Sequence, residues 1–95
     1  MEVPDFQTLM LPVLRAFADG EPHRSRLVRD AVAEQLGLGP EQLRELLPSG
    51  RQTRFGNRIA WAHGYLKQAA LLDSNGRGTY QITARGREVL AENPP

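Results

Sequence analysis

TRFGNRIAWAHGYLKQAALLDSNGRGTYQI, residues Thr53–Ile82, decides the reading of this chain. Its first part is helical. At about 100° per residue, Phe55, Ile59, Ala62, Leu66 and Ala69 fall in one narrow sector, as on a helix with a single buried face. Thr53 stands where a cap is needed, and the spacing predicts a helix from Arg54 to Ala70. The far sector holds Arg54, Asn57, Trp61, Gly64, Lys67 and Gln68, with Arg58 on the boundary. Gly64 costs a helix interior roughly 1 kcal/mol against Ala, so it marks either a close approach or a tolerated exposed site. The second part is a hairpin. Asn75-Gly76-Arg77-Gly78 lies between Leu71–Ser74 and Thr79–Ile82, and Asn-Gly between short apolar-bearing runs signals a turn. Such a ribbon is marginal alone and must lie on helices.

Upstream, Phe6, Leu9, Met10, Val13, Leu14 and Phe17 recur at three- and four-residue steps, predicting a helix over Phe6–Ala18. Pro12 deletes one of its hydrogen bonds and is expected to kink it. Asp19-Gly20 ends it. Ser25 is placed to cap a second helix, with Leu27, Val28, Ala31, Val32 and Leu36 on its buried side and Gly37 at its end. Gly39-Pro40 opens a short third helix, with Leu43, Leu46 and Leu47 as its apolar side. Pro48-Ser49-Gly50 breaks it, and Ser49–Thr53 reads as a polar, mobile loop. Thr83 caps a last helix through Leu90, and Glu92-Asn93-Pro94-Pro95 cannot continue it.

The resulting order is helix, helix, short helix, long helix, hairpin, helix. That is a mainly α fold, a winged helix-turn-helix: a helical core with a small β-hairpin wing beside its last long helix. A very short strand at His23-Arg24 is expected to complete a three-stranded sheet. Ninety-five residues make one domain, read as 1–92 with a tail or linker stub at 93–95.

Charge is unevenly placed. Residues 51–87 carry Arg51, Arg54, Arg58, Lys67, Arg77, Arg85 and Arg87 against one acid, Asp73. Residues 1–50 carry five basic and eight acidic side chains, so the net +1 hides a basic half beside an acidic one. A basic half holding a long helix and a glycine-flanked hairpin is a candidate face for a polyanion. The alternative is that the arginines are the solvated skin of a small domain. Cysteine is absent, which excludes disulfides and thiolate zinc sites and fits a reducing, cytoplasmic location. The acidic start has no signal-peptide pattern, and no apolar run is long enough to span a bilayer.

In a helix-turn-helix, the N-terminal part of the second helix reads base edges in the major groove. Here that part offers Arg54, Asn57, Arg58 and Trp61. The arginines suit a phosphate or a guanine edge, and Asn57 has bidentate geometry for adenine. Trp61 is open to two readings: core, covered by the second helix or the 49–53 loop, or contact surface. Arg77, between Gly76 and Gly78, suits a minor groove or a phosphate. Lys67, Arg85 and Arg87 suit phosphate contacts or make none, and Arg51 is a further candidate for DNA contact.

Catalysis finds no residues to carry it, and no cofactor is implied. The two histidines, His23 and His63, fall in different elements without a carboxylate pair at ligand spacing. Lys67, the sole lysine, has no acidic residue two positions before it, so no nuclease metal cluster can be assembled.

Beyond composition, Val3–Gln7, Met10–Leu14 and Asp19-Gly20 resemble the N-terminal domain of Mrr-type restriction proteins. So do Leu46–Gly50, Arg54–Ala62, Tyr65–Ala69, the hairpin and Ile82–Gly86, a likeness that covers about residues 3–90. The resemblance implies a winged-helix specificity module that binds double-stranded DNA. In that family it precedes a nuclease domain which cleaves modified, typically methylated, foreign DNA. The nuclease domain is not in these 95 residues, so cleavage is expected from a C-terminal or separate domain. Gly56 stands where the family usually carries an acidic or similar polar residue. Two other functions fit the same fold. One is a transcriptional regulator, which needs an effector pocket or a dimer helix. The other is a protein-interaction winged helix using Trp61, Tyr65 and Tyr80. The sequence leaves monomer and homodimer both open.

Overall fold

The structure, a computed structural model, describes residues 3–92 except for the Phe6 side chain; the expected tail at 93–95 lies outside them. Among the described residues, five helices and a three-stranded sheet follow in the order α1 (Phe6–Arg15), β1 (His23–Arg24), α2 (Ser25–Gln35), α3 (Pro40–Arg44), α4 (Arg54–Gln68), β2 (Leu72–Ser74), β3 (Thr79–Ile82) and α5 (Ala84–Glu92). The sheet is antiparallel with β3 in the middle, so the wing of β2 and β3 is widened by the two-residue β1. This is the winged helix-turn-helix that the periodicity predicts.

Asp5 caps α1, its Oδ1 accepting the Thr8 N–H at 2.8 Å. The helix ends three residues earlier than expected. Phe17 and Ala18 donate to Leu14 and Arg15, so the chain tightens into i→i+3 turns before Gly20. Pro12 stays inside the helix. Leu9, Val13, Leu14 and Phe17 are buried against the apolar face of α4, the most extensive packing in the molecule.

The second helix departs from expectation. Ser25 is its first helical residue rather than its cap; Arg24 takes the cap position, and no side chain caps the turn. The Ser25 N–H donates instead to Gly78 O across the sheet edge, at 2.8 Å. Pairing of β1 with β3 fixes where α2 begins and how it is rotated. Val28, Val32 and Ala33 are therefore buried, while Leu27 is 58% exposed and Ala31 is exposed.

Thr53 caps α4 as its position suggests, Oγ1 accepting the Gly56 N–H at 3.0 Å. The other end is different. Ala70 adopts φ 64°, its N–H bonds to Lys67 O, and the Leu71 N–H bonds to Leu66 O, which together form a left-handed C-terminal cap. This turn puts Leu71 into the core and leaves Ala69, expected there, exposed. Thr83 ties the wing back through its hydroxyl to Ala70 O at 2.6 Å, and its Oγ1 caps α5 at Gly86 N. Gly86 is obligatory: a Cβ there would lie 2.3 Å from Leu71 O.

Candidate nucleic-acid interface

The face of α4 opposite Phe55, Ile59, Ala62 and Leu66 is open to solvent. Trp61 is 54% exposed, which settles its two readings in favour of a surface side chain. Its ring lies 5.9 Å from that of Tyr65, tilted by 32°. Ala60, Gly64, Lys67 and Gln68 are exposed around this aromatic pair. Nothing beyond its own helical turn lies within 4 Å of a Cβ built on Gly64 among the described residues.

The start of α4 is held by its neighbours. Arg54 Nε bonds to Glu45 Oε2 at 3.0 Å, and the Arg54 N–H donates to the Glu45 carbonyl at 2.8 Å. Asn57 Nδ2 donates to Gln52 Oε1 at 3.3 Å. Arg58 turns toward the N-terminal segment, with Nη1 donating to Val3 O and to Pro4 O. Ser49–Thr53, expected as a mobile loop, belongs to a turn closed by a Leu46–Thr53 bridge and by bonds from Leu47 N to Gln52 O and Gly50 N to Leu47 O. The short α3 ends at Arg44, so Leu46 and Leu47, expected on its apolar side, lie in this turn, and Leu46 is exposed. That turn holds Gln52 at the helix start and presents Arg51, exposed and without a side-chain partner among the described residues.

The wing tip carries Arg77 between Gly76 at φ 95° and Gly78 at φ 69°, conformations open to glycine at little cost. Asn75 N donates to Thr79 O at 2.8 Å and closes the loop. Arg77, Lys67 and Arg85 are all exposed, the last on α5, which packs against α1 and β3. Arg54, Asn57, Trp61 and Lys67 thus share α4, Arg51 lies beside its start, and Arg77 and Arg85 project from other elements.

Two features were not legible in the sequence. Arg24 and Arg26 belong to the acidic half, yet the β1–β3 pairing carries them to the wing tip. His63 is 1% exposed, with Nδ1 on Ile59 O at 2.9 Å, between the rings of Phe17 and Tyr80. The bond to a carbonyl makes Nδ1 the protonated nitrogen and leaves Nε2 an acceptor, without a partner among the described residues. Burial pushes the His63 pKa below its ordinary value. His23 instead bonds to Asp19 at 2.9 Å at the domain surface. Among the described residues, no group of three His, Cys, Asp or Glu side chains is placed to hold a metal ion. No described helix is long and apolar enough to cross a membrane.

Against known proteins, residues 6–92 match the Mrr N-terminal domain family. The chain is 38% identical over 95 residues to EcoKMrr, a type IV methyl-directed restriction enzyme of Escherichia coli K12. That alignment takes in 99% of this chain and 31% of the enzyme, so the chain spans about a third of its relative's length. No solved structure matches.

Proposed function

Because the chain belongs to the Mrr N-terminal domain family, we propose that it is the DNA-recognition module of a modification-dependent, type IV restriction system. Residues 1–92 form the module. It binds duplex DNA through the outer face of α4 and the wing loop at 75–78, and a nuclease domain outside these 95 residues cleaves. The observation that carries this reading is the Trp61–Tyr65 pair, lying open beside Lys67 on the far face of α4. A helix of this width fits the major groove, where apolar side chains meet pyrimidine methyl groups and polar ones meet base edges.

The side chains divide by role in this proposal. Asn57 and Arg54 read base edges, once they exchange Gln52 and Glu45 for DNA. Trp61 packs on base edges or methyl groups. Arg51, Lys67, Arg77 and Arg85 contact phosphates, which position the module without reading sequence. Arg58 serves by fixing α4 to the N-terminal segment. Fluorescence anisotropy of the purified chain with a labelled duplex tests the proposal. Binding should weaken steeply from about 50 to 200 mM salt, as counterion release requires. Binding that ignores salt, or none at all, rules the reading out. Matched methylated and unmethylated duplexes then test the dependence on modification.

The same aromatic pair supports a second reading, a protein-interaction surface. Tyr80, expected as a third member of that patch, is half-buried with its ring 5.1 Å from that of His63. Charge reversal at Lys67 and Arg77 separates the readings: it abolishes duplex binding and leaves a purely aromatic protein contact in place.

A further inference from the structure

We infer that Arg24, Arg26 and Arg77 form one phosphate-binding patch where the wing meets the start of α2, and that it grips the backbone of the duplex. The inference rests on the DNA-binding reading and adds a contact surface outside α4.

Topology makes the patch. The Ser25 N–H donates to Gly78 O at 2.8 Å, and Arg24 pairs with Thr79 in the sheet register. Arg24 and Arg26 are the chain neighbours of Ser25, and Arg77 is the neighbour of Gly78. One hydrogen bond therefore brings together the main-chain positions of three arginines from segments some fifty residues apart. All three are exposed, and none has an ion-pair or hydrogen-bond partner for its side chain among the described residues. Three other arginines are occupied, Arg29 on Asp30, Arg54 on Glu45 and Arg58 on main-chain carbonyls, whereas Arg51 is open like the three of the patch.

For the fold alone this placement is unfavourable. The start of a helix carries partial positive charge and favours Asp, Ser or Thr as its cap. Here an arginine takes the cap position, a second lies in the first turn, and a third is the chain neighbour of Gly78, which bonds to Ser25. A polyanion converts that repulsion into attraction. Position relative to α4 also fits. A shallow cleft of about 220 Å³ lies between Ser25, Arg26 and Arg29 on one side and Gly56 and Ala60 on the other. Arg26 therefore borders the flank of α4 that leads to Trp61, which lets one duplex touch that flank and the patch.

The test is the salt dependence of duplex affinity, measured by anisotropy for the whole chain and for variants. Each of Arg24→Ala, Arg26→Ala and Arg77→Ala should lower the slope of log K against log salt by about 1, and the triple variant by about 3. Losses should be equal on methylated and unmethylated duplexes. Arg15→Ala, on α1, should change nothing. A thermal melt confirms each variant is folded, and the single variants carry the test if the triple one is not. Wild-type binding with a slope that the substitutions leave unchanged overturns the patch while the function stands. Absence of wild-type binding overturns the function itself, and the patch with it.

Discussion

Arg58, in the first half of the long helix, donates its guanidinium to the main-chain carbonyl of Val3, 55 residues away. The same nitrogen reaches Pro4 O at 3.2 Å, and the Arg58 charge helps hold the Asp5 carboxyl below its usual pKa, after the bonds from Thr8. A residue expected at the DNA-reading start of α4 thus bonds the chain's own carbonyls. It ties the segment that starts α1 to the helix that α1 packs against.

Arg58→Ala should therefore cost stability first. Hydrogen bonds from a charged donor contribute about 1.5–3 kcal/mol, and loss of that order lowers the melting temperature of a domain this size by roughly 10 °C. Arg58→Lys should recover part of it. At a temperature where the variant is folded, its salt slope for duplex DNA should equal that of the wild type. A normal melt with a slope reduced by about 1 would instead make Arg58 a phosphate ligand.

Ala70 sits at φ 64°, where a Cβ crowds its own backbone. The sequence holds no glycine there, so helical spacing predicts an end at Ala70 and a buried Ala69, where the helix in fact stops at Gln68. Ala70→Gly relieves the strain but loosens the unfolded chain, leaving a net gain of about 0.5–1 kcal/mol. Denaturant melts should show a higher midpoint with unchanged m-value. An equal or lower midpoint means the turn is not left-handed in solution.

His63 gives the fold an acid-sensitive core. Its folded pKa lies below the unfolded value of about 6.5, chiefly through burial, with the Ile59 bond opposing. The unfolded state thus takes up the proton first. Stability is full above pH 6.5 and is lost as pH falls toward the folded pKa, with a limiting slope of about 1.4 kcal/mol per pH unit. The lowered carboxyls of Asp5 and Asp19 act in the same direction, but only below about pH 4. Melts between pH 7.5 and 5 should flatten in His63→Leu. An equally steep curve in that variant assigns the sensitivity to another group.

What the sequence reveals here is what local periodicity encodes. Phe55, Ile59, Ala62 and Leu66 mark α4 because a helix must bury one side, and Asn75-Gly76 marks the wing because few dipeptides turn so tightly. Helical spacing predicts a buried Leu27 and omits Ala33, whereas the rotation of α2 is set by a two-residue strand pairing with a partner over fifty positions later. The same distance hides the roles of Arg24, Arg26 and Arg58. Net charge by segment located a basic half, but only tertiary contacts show which arginines are already occupied.

If Arg54 reads base edges as proposed, Glu45 competes with DNA for it. The pair is partly exposed, with side chains 31% and 50% accessible for Arg54 and Glu45, so its contribution to stability is within about 1 kcal/mol. Glu45→Gln should leave the melt nearly unchanged and strengthen duplex binding several-fold at low salt, since a negative charge leaves the interface. Weaker binding in this variant would show that Glu45 instead holds Arg54 in its reading position.

Trp61 offers the sharpest separation of fold from function. At 54% exposure its removal opens no core cavity, so Trp61→Ala should shift the melt by only a few degrees. If α4 lies in the major groove, the exposed ring surface is buried on binding, at about 25 cal/mol per Å². Ring burial of this kind contributes about 1–2 kcal/mol, so affinity should fall about tenfold. Trp61→Phe should restore part of the loss. The chain has a single tryptophan, so its fluorescence reports this site alone and should change on titration with duplex. A silent signal at saturating DNA places the duplex elsewhere on the molecule.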